Sequence, residues 1–293
     1  GVGFRAGCNA QGDDSVAVGN LAGCSDQGTH TVAIGYATGC DSQGSYSTAV
    51  GESAGGLNQN NYATAIGSSA GYNAQGAAAI AMGRLAGCEA QGNYSLAVGH
   101  QAGQASQGTN AVAIGSSAGS TGQGTHSVAI GYHTGSDSQG SGAVAVGRAA
   151  GQTSQGVATV AVGRAAGSTS QGAQATAVGY QAGQTSQGNN SVAIGYAAGI
   201  TSQGAAATAV GYIAGSNAQG ENAVAVGFQA GRKSQTANSV AVGYLAGSNV
   251  QGGSSVAMGN TAGQASQGTN AVAVGVQAGL NAQGNNTVAV GNA

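Results

Sequence analysis

The chain has 293 residues, with 58 Gly, no Pro, no Trp, two Phe and only 5% charged residues, far from the mixture of an average globular domain. A formal charge of −2, from eight acidic and six basic residues, offers no basic surface to neutralise phosphates, so nucleic acid is not an expected partner. No apolar run approaches the length of a membrane span and no charged-then-apolar leader opens the chain; it starts without Met and in mid-phrase, as expected of a piece of a longer or processed protein.

Wrapped at sixteen residues, the sequence places Gly at 3, 19, 35 and onward to 291 without a miss, nineteen times. A fixed period of this kind marks a repeat architecture. Sixteen residues are too few for a helix pair or a propeller blade, but they suit one turn of a solenoid whose strands stack turn on turn. Residues 1–293 therefore read as one continuous repeat region. The expected fold is all-β, a parallel β-solenoid or β-roll of about eighteen coils, forming a rod on the order of 85 Å long.

Taken in chain order, the coil opens with Ala6-Gly7, a pair that recurs to Gly279 with Ala replaced only by Thr38 and Thr134. It reads as a tight corner where a Cβ would clash. The next column holds Cys8, Cys24, Cys40 and Cys88 among residues such as Gln104, Ser120, Ile200 and Arg232. On adjacent rungs Cys24 and Cys40 fall within Cα range of a disulfide, so the column reads either as small surface residues or as a bridge between rungs or chains. Gln then stands in every coil, Gln11 to Gln283, followed by a second corner Gly that departs only at Asn60 and Thr236. These amides either form a ladder between coils or cap the backbone of their own turn. The coil closes on small-Val-Ala-Val/Ile-Gly, as in Ser15-Val16-Ala17-Val18-Gly19, where β-branched residues at alternate positions bounded by Gly predict a short strand.

The middle Ala of that strand never varies, and Ala17, Ala113, Ala193 and Ala289 represent its column. Successive strand residues face opposite ways, so Val192 and Ile194 are expected to line the coil while Ala193 faces out. An invariant outward Ala needs something pressing on it. The expectation is inter-chain packing of the Ala column against another copy of the chain, since narrow rolls gain a usable core by associating.

Asn190-Ser191-Val192-Ala193-Ile194-Gly195, and more loosely Asn238 to Gly243, resemble the head repeats of YadA-like trimeric autotransporter adhesins and similar repeats in phage and large-virus fibres. The resemblance implies a left-handed parallel β-roll, three chains about one axis, and a place on a cell surface or virion. The sixteen-residue repeat differs from the fourteen usual for the bacterial head, through an extra Gln-Gly corner.

Few residues suggest chemistry. His30 and His126 share a column but lie six coils apart, roughly 29 Å, and His100 and His133 stand about 10 Å apart without an acid or Cys beside them, so no metal site, catalytic group or cofactor is expected. Tyr180, Tyr196, Tyr212, Phe228 and Tyr244 follow the strand Gly in five consecutive coils. They read either as rings that stack over a Gly-rich edge or as a glycan or receptor contact. Arg232-Lys233 is the sole adjacent basic pair, beside the departure at Thr236. Thr153, Thr169, Thr185 and Thr201 form the single rank that an ice-binding reading would use. Asn93-Tyr94-Ser95, Asn189-Asn190-Ser191 and Asn285-Asn286-Thr287 are formal glycosylation sequons. The leading expectation is a non-enzymatic structural fibre, a shaft or head that is extracellular, with itself as partner; a glycan-binding adhesin and an ice-binding solenoid are the alternatives.

Overall fold

The computed structural model describes residues 1–292. It comprises two compact units, Gly1–Arg148 and Ala149–Ala293. Each is a parallel β-solenoid of sixteen-residue coils, and among the described residues there is strand and turn but no helix. The first unit carries nine three-residue strands of the predicted kind, Val16–Val18 to Val144–Val146, and the second nine more, Val160–Val162 to Val288–Val290. Each pairs in register with the strand sixteen residues away, as in Ala33↔Ala49 and Ala193↔Ala209.

A second strand, in every coil but the last, lies where the sequence suggested only corners. It runs Asn9–Gln11 in the first coil and Thr169–Gln171 in the second unit, and stacks in register as Gln27↔Gln43 and Gln187↔Gln203. Its middle residue is left-handed, with φ of 56° at Ser42 and 54° at Ser170, which breaks the alternation by which strands are read. Two further left-handed positions per coil, for example Tyr46 and Leu85, have φ of 61° and 58°. Proline, locked near −65° and lacking an N–H, fits none of these positions, and the chain has none.

The coil is inside out relative to expectation. Ala17, Ala113 and Ala193 are 1%, 0% and 0% exposed within one chain, whereas Ile194 is 39% exposed. The assignment of the Ala column to inter-chain packing therefore does not stand: a single chain already encloses it. Ala289, in the last coil, is partly buried against Ala262, Ala273 and Ala278. The reason is volume. Two short strands face each other across a lumen filled by the Ala17 column, the Ala22 column, the small Ser, Thr or Ala of the Thr31 column and one Gln per coil. Alternation fixes that Val and Ala point oppositely, and lumen width decides which of them points in.

Gln spans this lumen. Nε2 of Gln203 donates to the Val192 carbonyl on the facing strand at 2.7 Å, with the Ala207 carbonyl at 3.2 Å and Oε1 of Gln219 in the next coil at 3.2 Å. Both readings of the Gln column thus hold together: the amide caps its own coil, and in places it also joins a ladder, as from Gln59 to Gln75 at 3.1 Å. The corner Gly exists for this side chain. A Cβ on Gly103 would sit 2.6 Å from Oε1 of Gln107. At the second corner a Cβ on Gly108 would sit 2.6 Å from the Gly124 backbone of the next coil.

The departures from the columns are accommodated by hydrogen bonds. Thr38 and Thr134, in the buried Ala column, donate their hydroxyls to the carbonyls of Gly51 and Gly147. Asn60 and Thr236 turn their side chains onto the carbonyls of Gln75 and Gln251 at 3.0 and 2.9 Å. Their own N–H bonds to those carbonyls lengthen to 3.1 Å, against 2.8 Å at Gly108, as a Cβ wedged between coils requires.

The lumen makes a direct test available. Ala193→Leu should lower stability by about 1–3 kcal/mol or more through overpacking, read as a lower urea midpoint, while Ala193→Ser, which keeps the volume nearly constant, should cost far less. Equal effects of the two would contradict an interior Ala.

Candidate functional site

With the interior given to Ala and Gln, the side chains able to meet a partner are the outward columns. The Val strand turns out two of them, led in the first unit by Val16, Val18, Ile34, Ile80, Met82 and Ile130, all exposed, and in the second by Ile194 and Met258, with their neighbours half-buried. Neither column contains a charged residue, and only Thr48, Thr64, Thr176 and Thr208 are polar. Contiguous apolar surface of this extent is uncommon on a soluble monomer and marks an interaction face. Sequence reasoning placed these residues in the interior because aliphatic side chains are usually buried.

Beside that face in the second unit, Tyr180, Tyr196, Tyr212, Phe228 and Tyr244 form one ladder. Successive centroids lie 5.0, 5.1, 5.1 and 5.1 Å apart with interplanar angles of 7–13°. The guanidinium of Arg164 lies 5.3 Å from the Tyr180 centroid. Each inner ring is covered on both faces by its neighbours, so the half-exposed rings, 48% for Tyr196 and 40% for Phe228, present edges and hydroxyls to water. Offset stacking of this kind contributes about 0.5–1.5 kcal/mol per pair beyond area burial.

A second ladder, in the first unit, went unread. His30, Tyr46 and Tyr62 stack at 4.9 and 5.1 Å, with Nε2 of His30 3.5 Å from the Asp14 carboxylate. Rings recurring sixteen residues apart were the available signal, but half of the column is Asn or Ala, and its backbone is left-handed at each of these positions. The other histidines lie apart: Nε2 of His100 is 3.1 Å from Arg84, and His133 packs edge-on to Tyr132 at 4.2 Å. Among the described residues no group of three or more His, Cys, Asp or Glu is placed to hold a metal ion.

The thiol column divides. Cys24 and Cys40, half-buried on successive rungs with Cα atoms 4.8 Å apart, are paired as a disulfide, while Cys8 is free and exposed and Cys88 free and buried. Burial, with the Glu89 carboxylate adding to it, pushes the Cys88 thiol up. The sequon asparagines are structural: Oδ1 of Asn93, Asn189 and Asn285 accepts the N–H of Ala77, Ala173 and Thr269 one coil back, at 2.9, 2.9 and 2.8 Å. Their partner hydroxyls, Ser95 and Ser191, are buried and close the corner onto Gly92 and Gly188. The Thr column faces out as one rank, Thr169↔Thr185↔Thr201, flanked by left-handed Ser170, Ser186 and Ser202 rather than by a second Thr rank. Lys233 is exposed, and its neighbour Arg232 donates to Oε1 of Gln229 at 2.9 Å.

Tyr212→Ser breaks two stacking contacts and should cost about 1–3 kcal/mol, accompanied by loss of the near-ultraviolet circular dichroism of coupled rings. An unchanged aromatic spectrum would contradict the ladder.

No curated protein matches this sequence. The family model for the YadA head domain repeat does match it, in two copies, over residues 106–134, 185–198 and 266–293. The second segment contains the Asn190–Gly195 phrase on which the resemblance rested. In those segments the chain is similar to YadA head domain repeats, and its fold, a parallel β-solenoid, is consistent with them.

Proposed function

We propose that this chain is the structural part of an extracellular surface fibre, a shaft or head that associates with copies of itself through the Val/Ile columns. The observation that carries the reading is the uncharged aliphatic face turned out by a chain whose own lumen is already filled. A surface rich in Ser, Thr, Asn and Gln and poor in charge suits a passive spacer, and the similarity to YadA head repeats supports an appendage of adhesin type. Three chains about an axis is the arrangement that resemblance implies. Each coil rests on its neighbours, so stability accumulates with repetition and each unit tolerates exposed substitutions. The reading requires no catalysis or cofactor.

A second reading, binding of a glycan or receptor through Tyr180, Tyr196, Tyr212, Phe228 and Tyr244, rests on their half-exposure beside the aliphatic face. Stacking leaves few ring faces on which a sugar could lie, so contact would fall to the hydroxyl edge. Glycan-array binding that disappears when these rings become Ser would favour it. The ice-binding alternative gains no second Thr rank.

Light scattering tests the self-association. Wild type should have a mass of three times the 27.3 kDa chain. The double variant Val178→Asp and Ile194→Asp, whose altered side chains lie outside the lumen, should fall to the mass of one chain with its β circular dichroism retained, because a desolvated, unpaired carboxylate is not tolerated in an apolar contact. A wild-type mass of one chain would overturn the proposal.

A further inference from the structure

We infer that Cys8, Cys24 and Cys40 form an exchangeable disulfide site, in which Cys24 is the shared centre and the bond moves between Cys24–Cys40 and Cys8–Cys24. The inference does not depend on the proposed self-association.

The three cysteines occupy the same position in three consecutive coils. The residues following them pair in register, Asn9↔Ser25 and Ser25↔Asp41, so the side chains stand one above another along a single column. The two steps share one geometry, the first more exposed than the second: Sγ of Cys8 lies 3.1 Å from the Cys24 carbonyl, and Sγ of Cys24 lies 3.1 Å from the Cys40 carbonyl. A backbone that brings Cys24 within bonding reach of Cys40 therefore offers Cys8 the same relation to Cys24.

Thiol–disulfide exchange proceeds by attack of a thiolate on one sulfur with the other leaving, and it favours the three sulfurs in line. A straight column supplies that line: nucleophile, centre and leaving group follow its axis. The Cys8 thiolate attacks Sγ of Cys24, the Cys24–Cys40 bond breaks, and the electron pair departs on Cys40, which takes up a proton from water to balance the one Cys8 released. One bond forms and one breaks, with no net oxidation. The free thiol is thereby relocated by two coils, from exposed Cys8, where it is open to a second thiol or an electrophile, to half-buried Cys40. Cys88 lies outside this system, three coils beyond Cys40 with Gly56 and Tyr72 between them in the column, and buried.

The three sites are separable by a protease that cuts before Asp, because Asp13, Asp14, Asp26 and Asp41 place each cysteine on its own peptide. The protein is incubated near neutral to mildly alkaline pH, acid-quenched, alkylated with a maleimide and mapped without reduction. Wild type should contain both linkages, in amounts within about tenfold of each other as the shared geometry of the two steps implies. Cys8→Ser oxidised with glutathione disulfide should contain only Cys24–Cys40, and Cys40→Ser treated alike only Cys8–Cys24. Both variants should fold, since the column already accepts Ser at Ser120. A wild-type map with one linkage alone, alkylated Cys8 and Cys24 in the Cys40→Ser protein, or bonds found only between chains would each overturn the inference.

Discussion

The width of the lumen governs this molecule. The short strands of each coil enclose a space that holds an Ala from each side, a small Ser, Thr or Ala at the corner and one Gln amide, and no large hydrophobic side chain. That single restriction makes the Ala columns near-invariant, forces Gly at the corner over which the Gln side chain folds, and expels every Val and Ile to the outside. A core without large hydrophobic side chains removes little apolar surface per coil. The buried amides compensate by bridging strand to strand, and a hydrogen bond in such a setting is costly to lose because its partner is left buried and unpaired.

The consequences reach the surface. Expelled aliphatic side chains stack in two columns along each unit, and the column after the strand Gly collects rings that stack at the same spacing. Any partner of the chain meets order imposed by the rung spacing, which is also what lines up three thiols and four threonines. Function in such a fold is a property of columns rather than of convergent pockets, so structural and adhesive roles follow from it more readily than chemistry does.

Much of this was legible in the sequence. The period, the Val strand, the corner glycines and the thinness of the core follow from recurrence and residue size. The facing of the strand did not, because alternation separates Val192 from Ala193 without saying which is inside; only the volume enclosed by the second strand decides it. That strand was hidden by a left-handed residue, such as Ser42 or Ser170, set in the middle of three. The Gln column allowed two structural readings from sequence, and Gln203 satisfies both at once. The His30–Tyr46–Tyr62 ladder escaped notice because its column is dominated by small and amide residues, whereas the five-ring run from Tyr180 was uninterrupted and easily seen.

The side-chain amide protons of Gln offer the most direct measurement of whether the lumen is built this way. After transfer to deuterated water, the Gln amide signals of the buried column, among them Gln43, Gln75, Gln203 and Gln235, are expected to persist with the backbone amides of the strands, while those of exposed Gln174 and Gln277 vanish at once. Loss of both sets at the same rate would mean that the amides do not span a closed interior, and the arrangement of Ala within and aliphatic columns without would be wrong.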